Sequence, residues 1–464
     1  MPKQSRREFF GTPALLAAAP ALQAAVPKFT PKANTRVLGA NDRVNVAFIG
    51  NGMQFHALLR RAFFARKEGK NDFEFAAVCD VWEPRVKHAQ EVTKAEKTYR
   101  DYREVLARPD IDAVVIAVPD HWHFLLASQA CECGKDVYLE KPMTYTVEES
   151  AELTAIVEKT KRILQVGGSG PSTRLFWQIN DYIKSGKIGK VLWGLISYNR
   201  NTREGMWDYP IPGVGGTEWP DAKVTPQNLD WDMWLGPAKN RPYSAERYFR
   251  WRKYWDYSGG NATDLLYHRL GMMSTMIGFD FPTRAMAAGG IYVQKDREVP
   301  DTYMTLIEYP GDYSINMISC MANARSAPMT VYGNWGTVEV GEPTRVGGPM
   351  GDQGRGRGAA AARTQSATVR PERQFLKEFK EANNGQSEVT IDAEPSTDSV
   401  DDWLNCIRTR QTPIYNALRG YQVMTAIAMG VESYRSGTVM AFDPKTRRIL
   451  PAPPRHTEYL PDEA

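Results

Sequence analysis

A repeated alternation of short apolar runs with helical stretches, starting near residue 43, constrains this chain more than any other feature. RVNVAFIG, FEFAAVCD, DAVVIAVP, DVYLEKP and RILQVG read as strands, and helix-like segments stand between them. Strands rich in Val and Ile that alternate with helices pair in parallel, because each helix carries the chain back across the sheet. The style changes after residue 168. A helix near 172–185 and the strand VLWGLISYN lead into residues 200–257, which are loop-rich and crowded with Trp, Tyr and Pro. After a helix near 261–277 come RAMAAGGIYV, TYMTLIEYP, YSINMISCM, PMTVYG and GTVEVG, separated by turn signals such as PGD. These read as an antiparallel meander in a second domain. Helical segments near 371–383, 397–408 and 417–435 complete the chain. A length of 464 residues suits two cores better than one. The expected division is a leader and linker at 1–40, a first domain at 41–167, a second at 168–445 with a flexible low-complexity insertion at 346–366, and a tail at 446–464.

The leader carries its own signal. Ser5 to Phe10 reads SRREFF, and the apolar run GTPALLAAAPALQAA follows, with small residues at Ala21 and Ala25. Basic, then apolar, then small is the order of an export signal, and the arginine pair points to the twin-arginine route. The expected location is therefore periplasmic or extracytoplasmic. A route that carries folded proteins implies that any cofactor is loaded before export. The apolar run has about 15 residues, short of the ~20 that span a bilayer, so no stable membrane span is expected.

Charge and cysteine usage narrow the partners. The formal net charge is +4, and the leader supplies part of it through Lys3, Arg6 and Arg7. A nearly neutral body gives no support to a nucleic-acid partner, and RGRG within 346–366 is expected to be surface insertion. The five cysteines are scattered and odd in number, which argues against a complete disulfide framework. No metal site is expected.

The turn at Val46 to His56, VAFIGNGMQFH, bears on cofactor chemistry. A Gly-rich turn between a strand and a helix lets backbone N–H groups approach a pyrophosphate. Gly50 and Gly52 occupy the first two positions of G-x-G-x-x-G, while Phe55 stands at the third. Either Phe55 points into the core or the helix stands further from the strand, and His56 then faces the cofactor or substrate cleft. The second strand ends at Asp80, where a carboxylate accepts hydrogen bonds from the adenine-ribose hydroxyls. The alternative for Asp80 is a helix N-cap. An anion there repels a 2′-phosphate, which favours NAD, while nearby Arg85 leaves NADP open.

Two further stretches carry chemistry. In LEKP, Lys141 follows a strand and faces the crevice where such sheets bind ligands. Its ammonium can stabilise an alkoxide as hydride leaves, or it is a surface lysine paired with Glu140. In GGNATDLLYHRL, Asp264 and His268 are four residues apart and share a helix face, as a proton-accepting pair requires. Eight of the twelve Trp lie between 177 and 255. Most are expected in the core, with one or two lining a carbohydrate cleft.

Together, FIGNG, VCDVWEPR, VPDHWHFLLASQACECGKDVYLEKPMTYTVEES, RILQVG, SGKIGKV and DYSGGNATDLLYH resemble the Gfo/Idh/MocA oxidoreductases from about residue 44 to 443. WLGPA, DYSGG and REVPDT are similar to exported bacterial members, and NAD-dependent glycosidases of glycoside hydrolase family 109 are relatives. The resemblance implies an α/β fold: an N-terminal Rossmann dinucleotide-binding domain plus a C-terminal α/β domain with an open, mostly antiparallel sheet that often serves oligomer contacts. It implies Lys141, Asp264 and His268 as catalytic residues, with His268 the proton acceptor. Pro119, His121 and His123 lie beside the nicotinamide on this reading. The cofactor-binding set is Gly50, Asn51, Gly52, Met53, Asp80, Pro119, His121, His123, Glu140 and Lys141, and the substrate candidates are His123, Arg174 and Tyr267. Leu266 departs from the glycine that many members hold between the catalytic Asp and His. The function implied is an exported oxidoreductase that uses tightly held NAD on a CH–OH group of a sugar, polyol or sugar derivative, as a homo-oligomer (dimer or tetramer). The alternative is a glycosidase working by oxidation, elimination and reduction with bound NAD.

Overall fold

Six parallel strands form the first sheet of the computed structural model, which describes residues 39, 42–168, 170–212, 223–341, 344–345 and 363–454. They are β1 (Val44–Ile49), β2 (Phe73–Cys79), β3 (Lys97–Tyr99), β4 (Ala113–Ile116), β5 (Asp136–Leu139) and β6 (Leu164–Val166), in the order β3-β2-β1-β4-β5-β6. This is the doubly wound Rossmann order, with its reversal point between β1 and β4. The edge strand β3 escapes sequence reading because it has three residues and exposes Lys97 and Thr98. Helix Val147–Thr160 starts with a capping box in which Thr146 and Glu149 satisfy each other's backbone N–H.

Phe55 points into the core. Its ring meets Phe48 of β1 edge-on at 5.1 Å, in a cluster with Phe63, Phe73 and Phe75. The helix that carries it runs Met53–Leu58, passes through a π-helical turn at Leu59–Phe63, and resumes at Phe64–Gly69. His56 does not reach the cleft: it lies against His88 at 5.0 Å between ring centroids. Burial, with His88 second, lowers its pKa to about 4.

The second sheet has ten strands. β7 (Val191–Ser197), β8 (Arg284–Gly290), β9 (Thr302–Tyr309), β10 (Tyr313–Cys320), β11 (Met329–Gly333) and β12 (Gly336–Val340) come first in the chain. A two-residue ladder, β13 (Thr344–Arg345) with β14 (Arg363–Thr364), stands apart, and β15 (Ser366–Pro371), β16 (Val389–Asp392), β17 (Met440–Asp443) and β18 (Arg448–Pro451) complete the sheet. The order β16-β15-β12-β11-β7-β10-β9-β8-β17-β18 is mostly antiparallel but is not a simple meander. β7 inserts between β10 and β11 and runs parallel to β10. No hairpin ties β7 to its sequence neighbour, so nothing local sets its partner. The expected tail begins as edge strand β18, and the expected insertion ends within β14 and β15. The leader 1–38 and residues 346–362 lie outside the described residues.

Two segments tie the domains together. Helix Ser399–Thr409 belongs to the second domain by sequence but packs Val400, Trp403, Leu404 and Ile407 against the β1–Phe55 cluster. Buried Arg66 bonds Asp72, Asp401 and Asn405 across the same junction. The aromatic segment folds over the other side of the Rossmann sheet: Trp82 bridges to Leu229, and Asp230 N–H donates to Val81 O at 3.0 Å. Trp82, Trp231, Trp234, Leu235, Tyr248 and Phe249 form a satellite core there.

Candidate active site

A cavity of about 330 Å³ runs along the C-terminal ends of β1, β2, β4 and β5 and under the aromatic segment. Its nucleotide end is built by the β1 turn. Gly50 has φ +88°, and a Cβ there would lie 2.4 Å from Ala117 O, so only glycine suits the turn. Gly52 lies against Arg85, with a virtual Cβ 3.5 Å from the guanidinium carbon. Asp80 Oδ2 accepts from Asn51 N–H at 2.7 Å, and Oδ1 accepts from Trp82 N–H at 2.9 Å. Asp80 therefore knits the two turns together and still lines the cavity, rather than capping the following helix, whose N-cap is Trp82. Arg85 donates to Tyr248 Oη at 2.9 Å and sits 5.2–5.5 Å from the ring centroids of Trp82, Tyr248 and Phe249.

The other end assembles from four distant stretches. Lys141, two residues after β5, donates from Nζ to Asp264 Oδ1 and Asp264 O, both at 2.9 Å. Arg252 Nε donates to the same Oδ1 at 2.9 Å, and Trp207 Nε1–H donates to Oδ2 at 3.0 Å. Burial alone would raise the Asp264 carboxyl, but the Arg252 and Lys141 charges hold it well below the usual carboxylate range. Trp207 is buried at φ +67°, a conformation costly for a bulky residue that persists only where its surroundings impose it. The second carboxyl near Lys141 and Arg252 is Asp120, whose burial pushes it up to about 6.

Asp264 does not orient His268, as the helical spacing had suggested: no hydrogen bond joins them. Asp264 lies within a π-helical turn, Ala262–Leu266, just before helix Tyr267–Ile277, and its carboxylate is spent on Lys141, Arg252 and Trp207. His268 lines the cavity with its Nδ1 about 4.0 Å from a virtual Cβ on Gly168. Burial first, and Lys141 second, push its pKa down to about 3, so the ring is neutral and able to accept a proton.

Several expected residues stand elsewhere. Gly50, Gly52, Met53, Asp80, Pro119, Glu140 and Lys141 line the cavity, and Glu140 is held by Gln54 at 2.8 Å. Asn51, His121 and His123 are buried beside it rather than lining it. His123 spends both ring nitrogens on Pro142 O and Val118 O, and His121 Nε2 meets Trp234 O at 3.2 Å. His123 thus braces the loop with both nitrogens, while His121 Nδ1 is buried without a hydrogen-bond partner among the described residues. Tyr267 points into the core and donates to Gly420 O at 3.3 Å. Arg174 lines a different cavity, with Trp177 and Arg419, and pairs with Glu394 at 2.9 Å. Arg200, Tyr209, Gln54 and Arg252 belong to no local pattern in the sequence, and Trp207 stood out only as one of the eight clustered Trp. Of the Trp-rich region, Trp234 and Trp251 line the cavity, joined by Trp122.

A Rossmann sheet whose glycine turn opens onto a Lys–Asp–His end defines a dinucleotide-dependent oxidoreductase fold. The chain belongs to the Gfo/Idh/MocA oxidoreductases. Residues 44–168 match the model of its NAD-binding Rossmann fold, and residues 235–442 that of its C-terminal alpha/beta domain. Among named relatives, an alpha-N-acetylgalactosaminidase of Shewanella oneidensis is 29% identical over 34% of this chain and 36% of its own length. A glycosyl hydrolase family 109 protein of Shewanella baltica is 30% identical over 37% of this chain and 39% of its own. The chain thus spans about a third of the length of the curated relatives it matches. An aldose-aldose oxidoreductase structure from Caulobacter crescentus superposes with TM-score 0.59 at 17% identity, over 86% of this chain and 100% of its own. The WlbA dehydrogenase of Bordetella pertussis, solved with NADH and UDP-GlcNAcA, superposes with TM-score 0.59 at 16% identity, over 89% and 100%.

Proposed function

We propose that the protein is an exported NAD-dependent oxidoreductase that oxidises a CH–OH group of a sugar, polyol or sugar derivative. The observation that carries this reading is a single cavity with a dinucleotide turn at one end and Lys141 and neutral His268 at the other. The residues fit the cofactor: Gly50 and Gly52 line the cavity at the strand-to-helix turn, and the buried Asn51 side-chain amide has both polar atoms without a protein partner. Gly50, Gly52, Met53, Asp80 and Glu140 would hold NAD, which supplies the hydride-accepting chemistry when bound. Lys141, steadied by Asp264, donates to the substrate oxygen and favours its negative charge. His268 takes the hydroxyl proton on its free ring nitrogen. Asp80 favours NAD, and Arg85 against Gly52 is placed for a phosphate. Tight holding is supported by the aromatic segment, which covers the Asp80 end through Tyr248 and Phe249. Homo-oligomer formation is supported by the open face of the ten-stranded sheet, where Met286 and Met304 are exposed. The SRREFF leader supports export.

The names of the Shewanella relatives favour a second reading, glycoside cleavage with no net cofactor turnover, using the same residues. Purified protein is incubated with chromogenic glycosides without added NAD, and separately with free sugars while absorbance at the NADH band is followed. NADH build-up with a sugar supports the dehydrogenase. Aglycone release supports the glycosidase. Neither signal across both panels defeats both readings.

A further inference from the structure

The substrate end of the cavity holds more positive charge than its carboxylates use. Lys141 and Arg252 are matched by Asp264, and Asp120 lies beneath them. Glu140 is occupied by Gln54. Arg200, which also lines the cavity, has no carboxylate partner among the described residues, nor has Arg269 on the helix that carries His268. Both guanidinium groups stack on Tyr198, at 4.8 and 5.0 Å from its ring centroid, and the Tyr198 ring stands 6.4 Å from His268. The position of Arg200 is built rather than incidental. Its N–H donates to Cys320 O at 2.9 Å, its guanidinium reaches Tyr198 Oη, and it follows β7 at the middle of the ten-stranded sheet.

Arg200 is exposed, so water solvates its guanidinium while the site is empty, and its planar fork is free to take a carboxylate through two oxygens. The Gly50 turn, which suits a phosphate, lies at the other end of the cavity. We infer that the substrate is an acidic sugar derivative whose carboxylate binds Arg200, with Arg269 adding to the field, while the oxidised CH–OH faces Lys141 and His268. The inference rests on the oxidoreductase reading for the chemistry at the carbinol carbon, but the charge of the ligand is tested without turnover.

The test uses NAD-loaded full-length protein and matched pairs: glucuronate with glucose, galacturonate with galactose. Binding is followed by quenching of tryptophan fluorescence, since Trp122, Trp234 and Trp251 line the cavity. At least one acid is expected to bind about tenfold or more tightly than its hexose, the scale of one charge-assisted pair. Arg200→Gln should bring that ratio towards unity, and Arg200→Lys should retain part of it. A ratio within about threefold of unity for both pairs, or acids that do not bind, overturns the inference, as does a preference that survives Arg200→Gln in folded protein. NADH formation is read separately. Acids that bind but are not oxidised leave the charge assignment standing and count against the oxidoreductase reading. Neutral hexoses that bind and are oxidised as well as the acids do the reverse.

Discussion

The two ends of the cavity are built in opposite ways. At the nucleotide end, Gly50 to Met53 come from one turn, and Asp80 from the next strand end, within about thirty residues. At the substrate end, Lys141, Trp207, Arg252 and Asp264 span more than a hundred residues and meet only because the aromatic segment folds back over the Rossmann sheet. A site made by one turn depends on backbone conformation, whereas a site made by convergence depends on side chains holding one another. Mutations should separate these two dependences.

The largest effect is expected at the convergent end. Lys141→Ala and His268→Ala should each lower kcat by about 10³-fold or more while NAD remains bound, as measured by turnover and by cofactor released on denaturation. Near-normal kcat in either variant breaks the assignment. Gly50→Ala should act the other way, impairing cofactor retention before chemistry. Its Cβ meets Ala117 O at 2.4 Å, and the strain is expected to cost about 1–3 kcal/mol in thermal or denaturant unfolding. Unchanged stability and NAD content in this variant would show that the turn is not the cradle described.

Trp207→Phe keeps an aromatic ring but removes the N–H that Asp264 accepts. About a tenfold fall in kcat, with a smaller change in KM, is expected from one lost bond to a buried carboxylate. A variant that loses only stability would reduce Trp207 to packing. Protonation offers a gentler probe. His268 has a folded pKa of about 3, against 6.5 in an unfolded chain, so its neutral form contributes stability above pH 6.5, and that stability is lost as pH falls towards 3. Its ring signals in NMR, assigned by their loss in His268→Gln, should not titrate between pH 5 and 8; a midpoint near 6.5 contradicts the burial described. The smallest effect belongs to Arg174→Ala. This exposed residue lies in another cavity, so kcat/KM should stay within about twofold of the parent. A larger change would return Arg174 to the substrate site.

Legibility followed locality. Strands β1, β2, β4, β5 and β6, the glycine turn and Asp80 could be read because each is written in consecutive residues with a backbone reason. Lys141 was legible from its place after a strand. Arg200 and Arg252 were not, since nothing near them in sequence marks which cavity they enter, and clustering alone did not single out Trp207 as the one that bonds Asp264. Tyr267 and His123 show the converse: adjacent to functional residues, yet turned to the core and to backbone carbonyls. What the spacing of Asp264 and His268 could not show is that distant Lys141, Trp207 and Arg252 take up the Asp264 carboxylate.

Taken alone, the sequence determined the class of fold, the cofactor turn and the identity of Lys141, Asp264 and His268 as candidates. These follow from hydrophobic period, from backbone conformations open mainly to glycine, and from a recognisable motif. Only the tertiary structure decided that Asp264 anchors Lys141, Arg252 and Trp207 rather than His268, that Phe55 replaces a glycine by packing into the core, and that helix Ser399–Thr409 completes the Rossmann core. Each of these depends on which distant surfaces bury one another, and burial is a property of the whole packed chain that no local stretch encodes.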